Sequence, residues 1–317
     1  MPHTHPELPP LTTEQEDLPF SSVPEAYHIT ALGVPYVRNP DGEGGVLYVT
    51  RWGWHRLAHL RPDNWYKNRS FVKQGTRLRQ STGTVYFYPS RVEGTAPMDL
   101  LVKVSRLAEH VPGQTSADIP GLKSLQDATF NSPFEEFSLV EDLRASRFGP
   151  PHLHVRTKRP LAIYCGPKDL PSWQLGRRHW DFLNHSNALE QDQEGFPKGH
   201  RIQLEKSRQY FLLYAWVPGI DAQEAMLEGL ISEDEVRELT ERVNRELEMK
   251  GFRILDNKPK HIILRVGRDG LPIRHLGKLM YVQIDFELMV RTEAYTNHLR
   301  SNTSETQSPY LYESAQL

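Results

Sequence analysis

The sequence predicts an α+β fold in which antiparallel strand pairs and helices occupy separate stretches of chain. Three observations carry this reading. Apolar strand–turn–strand stretches lie at 76–104 and at 262–286. Capping boxes, Ser132-Pro133-Phe134-Glu135 and Ser232 with Glu235, open two helices. The elements then follow in the order strand hairpin, helix, two strands, helix, loop, hairpin.

Residues 1–25 hold six prolines, five acidic residues and no Lys or Arg, too little apolar surface to offset ordering entropy, so a disordered tail is expected. Over 26–70 short apolar runs alternate with turns. Val46–Val49 reads as a strand and Trp54–Leu60 as a short helix or turn. Thr84–Tyr88 and Leu100–Val104 form the first strand pair. After the first capping box, Glu136, Leu139, Val140 and Leu143 fall at i, i+3, i+4 and i+7, one face of a helix. His152–Cys165 and Gln209–Val217 read as strands. The stretch 166–207 between them, rich in Arg, Lys and His, reads as a polar insertion. The second capped helix carries Val236, Leu239, Val243 and Leu247 at helical spacing and ends at Gly251, a natural C′ residue. A hairpin follows, Ile262–Val266 and Leu279–Phe286 about a turn at Gly267–Gly270. Residues 300–317 are polar and expected to fray. There are no internal repeats.

Composition narrows the function classes. The chain has 317 residues, room for one large domain or two modest ones. With 25% charged and 38% apolar residues it is ordinary for a soluble globular protein. A formal charge of -2 lacks the basic excess of a nucleic-acid-binding domain. A single cysteine, Cys165, excludes an internal disulfide framework and suits a reducing compartment; it reads as a packing residue. No apolar run is long enough to span a membrane, and the N-terminus has no signal-peptide pattern, so a cytoplasmic location is expected.

The chemistry-bearing residues cluster late in the chain. Ile254-Leu255-Asp256-Asn257-Lys258-Pro259-Lys260-His261-Ile262-Ile263-Leu264 has the spacing D-x-K-P-x-[N/H]-I-I-L, and Ile284-Asp285-Phe286-Glu287 places an Asp-Phe pair at the close of an apolar strand. Earlier, Lys103 sits inside the apolar strand Leu101–Val104, where a lysine is costly to desolvate without an anionic partner. Glu136 is the expected partner: the capping box occupies Glu135, while Glu136 leads the apolar face. His152 and His154 alternate along the chain with no third donor nearby and read as surface histidines.

Together these stretches resemble the protein kinase family. Asp256 matches the catalytic-loop aspartate, which orients the acceptor hydroxyl, and Lys258 the lysine that neutralises the transferring phosphoryl group. Asp285 matches the aspartate that holds metal on the ATP phosphates, and His261 stands where the family has a metal-binding asparagine. Lys103 matches the strand lysine that contacts the phosphates, with Glu136 as its helix partner. Gly83 and Val85 match the end of the glycine-rich loop, whose first two glycines are replaced by Leu78 and Gln80. Tyr214, Ala215 and Trp216 match the hinge, where backbone groups would meet adenine.

The resemblance implies a protein-kinase-like fold: an antiparallel-sheet small lobe with a helix over 26–217, and an abbreviated helical large lobe over 218–299. Lys103 and Glu136 are expected to face Asp256 and Asp285 across a cleft. The implied cofactor is ATP with Mg²⁺ or Mn²⁺, the nitrogen of His261 favouring Mn²⁺. Ile254-Leu255 replace the family's His-Arg, Glu287 replaces the glycine after Asp-Phe, and only 32 residues follow Asp285. The underside of the catalytic loop would then be covered by 26–70, by the insertion, or by a protein partner. Two functions follow: a phosphotransferase acting on a hydroxyl acceptor, or a pseudokinase that senses nucleotide or serves as a scaffold.

Overall fold

The computed structural model describes residues 8–78, 83–111 and 128–302, which form a mixed α/β structure with a large antiparallel sheet and several helices. They divide into two compact units. The first contains the described residues up to Ser138 together with Arg159–Ala215, and the second Leu139–Lys158 together with the described residues from Trp216 onward.

The first unit is built on eight strands: β1 (His28–Ala31), β2 (Val34–Pro40), β3 (Val46–Thr50), β4 (Thr76–Arg77), β5 (Val85–Ser90), β6 (Met98–Val104), β7 (Pro160–Asp169) and β8 (Arg208–Ala215). Every neighbour pair is antiparallel, in the order β1-β2-β3-β7-β8-β6-β5-β4. Helices α1 (Thr13–Glu16), α2 (Arg51–Trp54), α3 (Leu57–Leu60), α4 (Pro62–Trp65) and α5 (Ser70–Lys73) are short. Trp54, Leu57, Leu60, Trp65 and Phe71 from these helices pack with Leu47, Val49, Leu100, Val102, Phe211 and Leu213 of the sheet. Trp65 is the centre of this layer, its ring 5.6 Å from those of both Tyr164 and Phe211. On the opposite face lies α6 (Pro133–Ala145), whose Phe134 meets Tyr48 and Tyr210 and whose Phe137 meets Tyr214. Strand side chains alternate between faces, so a central strand covered on both sides is apolar at every position. The run Leu100-Leu101-Val102 in β6 follows this rule, and Lys103 breaks it.

Several expectations are corrected here. Residues 8–25 are not a disordered tail. Thr12 and Gln15 close a capping box on α1, Leu11 and Val23 are buried, and the Trp54 indole N–H donates to the Leu18 carbonyl. A few apolar anchors suffice because the aromatic layer over the sheet receives them. Residues 1–7 lie outside the described part, as do the expected frayed residues 303–317; 300–302 end α11 (Glu293–Asn302) of the second unit. The stretch 166–207 is no loose insertion: β7 runs to Asp169, and α7 (Ser172–Leu175) and α8 (His179–Asp192) follow, burying Leu175, Phe182, His185 and Leu189. The strand expected from His152 begins only at Pro160. Before it, the Arg156 carbonyl and the Lys158 N–H bond to the backbone of Gln283, so that segment belongs to the second unit. Helix α6 is also not one-faced, since Pro133 to Val140 are all buried.

The second unit contains β9 (Ile220–Asp221), β10 (Phe252–Ile254), β11 (Ile262–Leu264), β12 (Arg274–His275), β13 (Lys278–Leu279), β14 (Tyr281–Gln283) and β15 (Met289–Arg291), with α9 (Ala222–Leu227), α10 (Glu233–Met249) and α11. Ser232 and Glu235 make the expected capping box on α10, and Val236, Leu239, Val243 and Leu247 are its buried stripe. Gly251 follows the C-cap Lys250 at φ +80, and a Cβ there would press on Tyr295. The hairpin is β11 against β14, antiparallel with Ile262 opposite Gln283, and β9 pairs on the other side of β11. Gly219 precedes β9 at φ +150, where a Cβ would lie 2.2 Å from the Leu264 carbonyl oxygen. Only glycine fits that approach. Residues 28–73 build strands β1–β3 and the helical layer of the first unit.

Burial lowers the basicity of His185, but the charge and hydrogen bond of Glu135, with a smaller pull from Asp181, raise its pKa above the ordinary 6.5. For Glu135 burial acts upward, yet His185 and the Ser132 N–H hold it below 4.5. Their side chains are 2.7 Å apart. The histidine's contribution is complete below pH 6.5 and is lost as pH rises through its raised pKa; the glutamate's is complete above 4.5 and is lost in acid. The stability difference between wild type and His185→Gln, read by urea unfolding, should therefore be largest between about pH 4.5 and 6.5 and shrink toward pH 9.

Candidate active site

In the first unit, β6 presents Lys103 to α6. Its ammonium lies 3.0 and 3.2 Å from the two carboxylate oxygens of Glu136, and the Tyr214 hydroxyl donates to Glu136 at 2.7 Å. Lys103 and Glu136 are 4% and 2% exposed, so the pair is desolvated on both sides. The local sequence explains the partner choice. Ser132 N–H donates to Glu135 at 2.6 Å and Ser132 Oγ accepts from Glu135 N–H, which fixes Glu135 at the helix start and turns Glu136 toward the sheet. Val85 opens β5 directly across from Lys103 and is buried. Gly83 is described, whereas Gln80 of the expected phosphate loop lies outside the described residues. At the expected hinge, Tyr214 is held within β8 between β6 and β7, and the Ala215 N–H donates to the Arg159 carbonyl at 3.0 Å. The first unit ends at Ala215 and the second resumes at Trp216.

In the second unit, β10 delivers the loop that carries Asp256. Leu255 N–H bonds to the Leu288 carbonyl, and a single 3₁₀ turn at Pro259–His261 returns the chain to β11. Asp256 and Lys258 pair at 2.8 Å with both side chains 36% exposed, an arrangement open to an incoming group. His261 Nε2 is 3.5 Å from Asp285 Oδ2. Burial depresses the His261 pKa despite the opposing charges of Asp285 and Asp256, so the imidazole is neutral at pH 7 and can act as a nitrogen ligand. Phe286 is fully buried in the core, with the Lys158 ammonium 5.6 Å from its ring centroid, and Glu287 is buried too.

The expected residues thus come together in two groups: Lys103, Glu136, Val85 and Tyr214 in the first unit, and Asp256, Lys258, His261 and Asp285 in the second. Sequence reasoning missed the Tyr214 hydroxyl, whose tyrosine was read only for its backbone. It also missed the pairing of Glu135 with His185. A cavity of about 490 Å³ in the second unit, between α10 and the β12–β13 turn, is lined by none of these residues. Among the described residues no cluster of three or more His, Cys, Asp or Glu could hold a metal ion, and no helix is long and apolar enough to cross a membrane. Cys165 is buried, which pushes its thiol up to about 12 and leaves it unreactive.

No protein-family model and no curated protein matches the chain. Among solved structures it is similar to WbdD, described as a bifunctional kinase-methyltransferase, at 21% identity over 46% of this chain and 33% of that one, with a TM-score of 0.22. For monomeric WbdD the values are 18%, 55%, 40% and 0.24. For Rad53 1–466 in complex with AMP-PNP they are 12%, 81%, 58% and 0.28. The chain spans less than two thirds of the length of each of these structures, and TM-scores at this level do not establish a shared fold.

Removing one partner of a buried ion pair strands the other charge, at a typical loss of about 3–5 kcal/mol. Lys103→Met should destabilise the protein on that scale in urea unfolding. The double variant Lys103→Met/Glu136→Gln should recover part of the loss, since a neutral amide still accepts the Tyr214 hydroxyl. Simple additivity of the two single variants would show that the pair is not coupled.

Proposed function

We propose that this chain is a protein-kinase-like phosphotransferase that moves the γ-phosphate of ATP to a hydroxyl acceptor. The observation that carries the reading is the buried Lys103–Glu136 pair with Tyr214 behind it. Buried ion pairs are seldom the most stable filling for a core, so a fixed ammonium at that depth is better explained by a polyanion that it serves. The D-x-K-P spacing at Asp256 and the Asp285–His261 pair supply the remaining roles.

In this reading Lys103 neutralises phosphate charge, and Glu136 with Tyr214 keeps its ammonium in place. Asp285 and His261, a carboxylate and a neutral imidazole 3.5 Å apart, fit a divalent cation whose other ligands come from phosphate oxygens and water. Such an ion would offset the charge that gathers on the phosphoryl oxygens. Asp256 accepts the hydrogen bond of the acceptor hydroxyl and orients its oxygen toward the γ-phosphorus. The new O–P bond forms as the bond to the bridging oxygen of ADP breaks, and the hydroxyl proton passes to Asp256 and on to solvent. Lys258, already beside Asp256, balances that carboxylate and would supply positive charge to the transferring group.

A second reading, a pseudokinase that senses nucleotide or serves as a scaffold, draws on specific departures. Leu78 stands where the phosphate loop has a glycine, and Glu287 is buried where the family has glycine. The Ala215 N–H, a hinge donor, is already taken by Arg159. The phosphotransferase and the nucleotide-sensing pseudokinase expect a nucleotide as the partner, the scaffold does not; a protein covering the second unit belongs to any of them.

Asp285→Asn should abolish metal-dependent binding of an ATP analogue in calorimetry, while Asp256→Asn should keep the binding and lose transfer of the γ-phosphate. Equal affinity in wild type and Asp285→Asn would rule out the metal site. Transfer by wild type should prefer Mn²⁺, and His261→Asn should move the preference toward Mg²⁺. A well-folded wild type that binds the analogue and transfers nothing with either metal would leave the pseudokinase.

A further inference from the structure

Gln283 is the last residue of β14, two positions before Asp285, and its side chain is fully buried. Its Nε2 donates to Asn257 Oδ1 at 3.0 Å. Asn257 stands between Asp256 and Lys258 and donates onward to Asn244 Oδ1 of α10 at 2.7 Å. The same Nε2 lies 3.5 Å from the Asp285 carbonyl oxygen. Three amide side chains therefore link a helix, the Asp256 loop and the strand that leads to Asp285. A backbone bond runs alongside, from Ile284 N–H to the His261 carbonyl at 3.1 Å.

The arrangement is poor value as packing. The Gln283 Oε1 is buried with no hydrogen-bond partner, and an unsatisfied buried oxygen costs free energy that a thioether of the same length would not. What the amide does supply is direction. A donor fixed by β14 on one side and an acceptor fixed by α10 on the other leave Asn257 one position, and its neighbours Asp256 and Lys258 inherit it.

We propose that Gln283 is a positioning residue that sets the place of the 256–261 loop relative to Asp285, acting through Asn257. For phosphoryl transfer this inference rests on the phosphotransferase reading, since sub-ångström placement of the two aspartates matters only if both act on one substrate. Its structural half does not depend on that reading.

The test uses the full-length protein with Gln283→Met, which keeps length and removes the amide, and Asn257→Ala, which removes the same bond from the half-exposed side. Backbone hydrogen exchange is followed at His261, whose N–H bonds to the Lys258 carbonyl, at Ile284, and at Val243 inside α10. Both variants should speed exchange at His261 and Ile284 by about tenfold or more and leave Val243 unchanged. A general loss of stability would raise all three together, and with unchanged or uniform exchange the inference fails, whatever the activity. In parallel, kcat for phosphoryl transfer should fall at least as much while KM for ATP stays put. A fall confined to KM, or none, overturns the catalytic half. Local loosening in a protein whose wild type transfers no phosphate upholds the loop-holding role and sinks the phosphotransferase reading instead.

Discussion

A lysine in a strand covered on both faces leaves the surrounding chain few choices. Lys103 is almost wholly buried, so the helix that covers its side of the sheet must bring a carboxylate, and that carboxylate needs its second oxygen satisfied as well. Glu136 and Tyr214 meet both demands. The remaining buried carboxylates of α6 are handled alike. Glu135 holds the helix start and meets His185, and Asp142, in the part of α6 assigned to the second unit, takes Arg291 at 2.5 Å and Arg147 at 3.0 Å. A helix so thoroughly buried is tolerable because each of its buried carboxylates has a partner from outside the helix.

Much of this was legible because local rules and burial pointed the same way. In α10 the capping box, the apolar stripe and the closing glycine agree, and the helix lies where they put it. The competition between Ser132 and the sheet for two adjacent glutamates was decidable from spacing, which assigned Glu136 to Lys103. The errors arose where few anchors do the work. Phe182, His185 and Leu189 recur at near-helical spacing, yet the polar residues around them hid α8. Leu11, Val23 and the Leu18 carbonyl were too sparse to outweigh the prolines around them, and nothing in residues 8–25 announces the tryptophan that receives them. His152–Lys158 has strand-like residues, but Arg156 and Lys158 give their backbone bonds to Gln283, a partner 125 positions or more away in sequence.

At the candidate site, what could be read was what lies adjacent in sequence. Asp256 with Lys258 and Asp285 with Phe286 are short-range patterns. The links among them are not. Gln283 and Asn257 are 26 residues apart, and their hydrogen bond exists only because β11 and β14 pair in one register. The available signal was a lone glutamine in the otherwise apolar run Tyr281-Val282-Gln283-Ile284, which asks for a partner without naming it. The Ala215 N–H is a similar case, since a strand-end amide reads as free until the neighbouring carbonyl of Arg159 is seen to take it.

The eight-stranded sheet has a further consequence, for what the protein avoids. An open sheet exposes two rows of backbone donors and acceptors, each a template on which another chain could pair and begin to aggregate. Here one border is β4, two residues long, with Arg77 exposed. The other is β1, four residues long, whose His28 carbonyl is occupied by the His200 ring, while just beyond it Leu32 N–H donates to Asp192. Neither border offers a long unpaired row. The residues that read as an insertion thus act as a seal on the sheet's edge, a duty unrelated to phosphate chemistry and one that any shortening of that segment would expose.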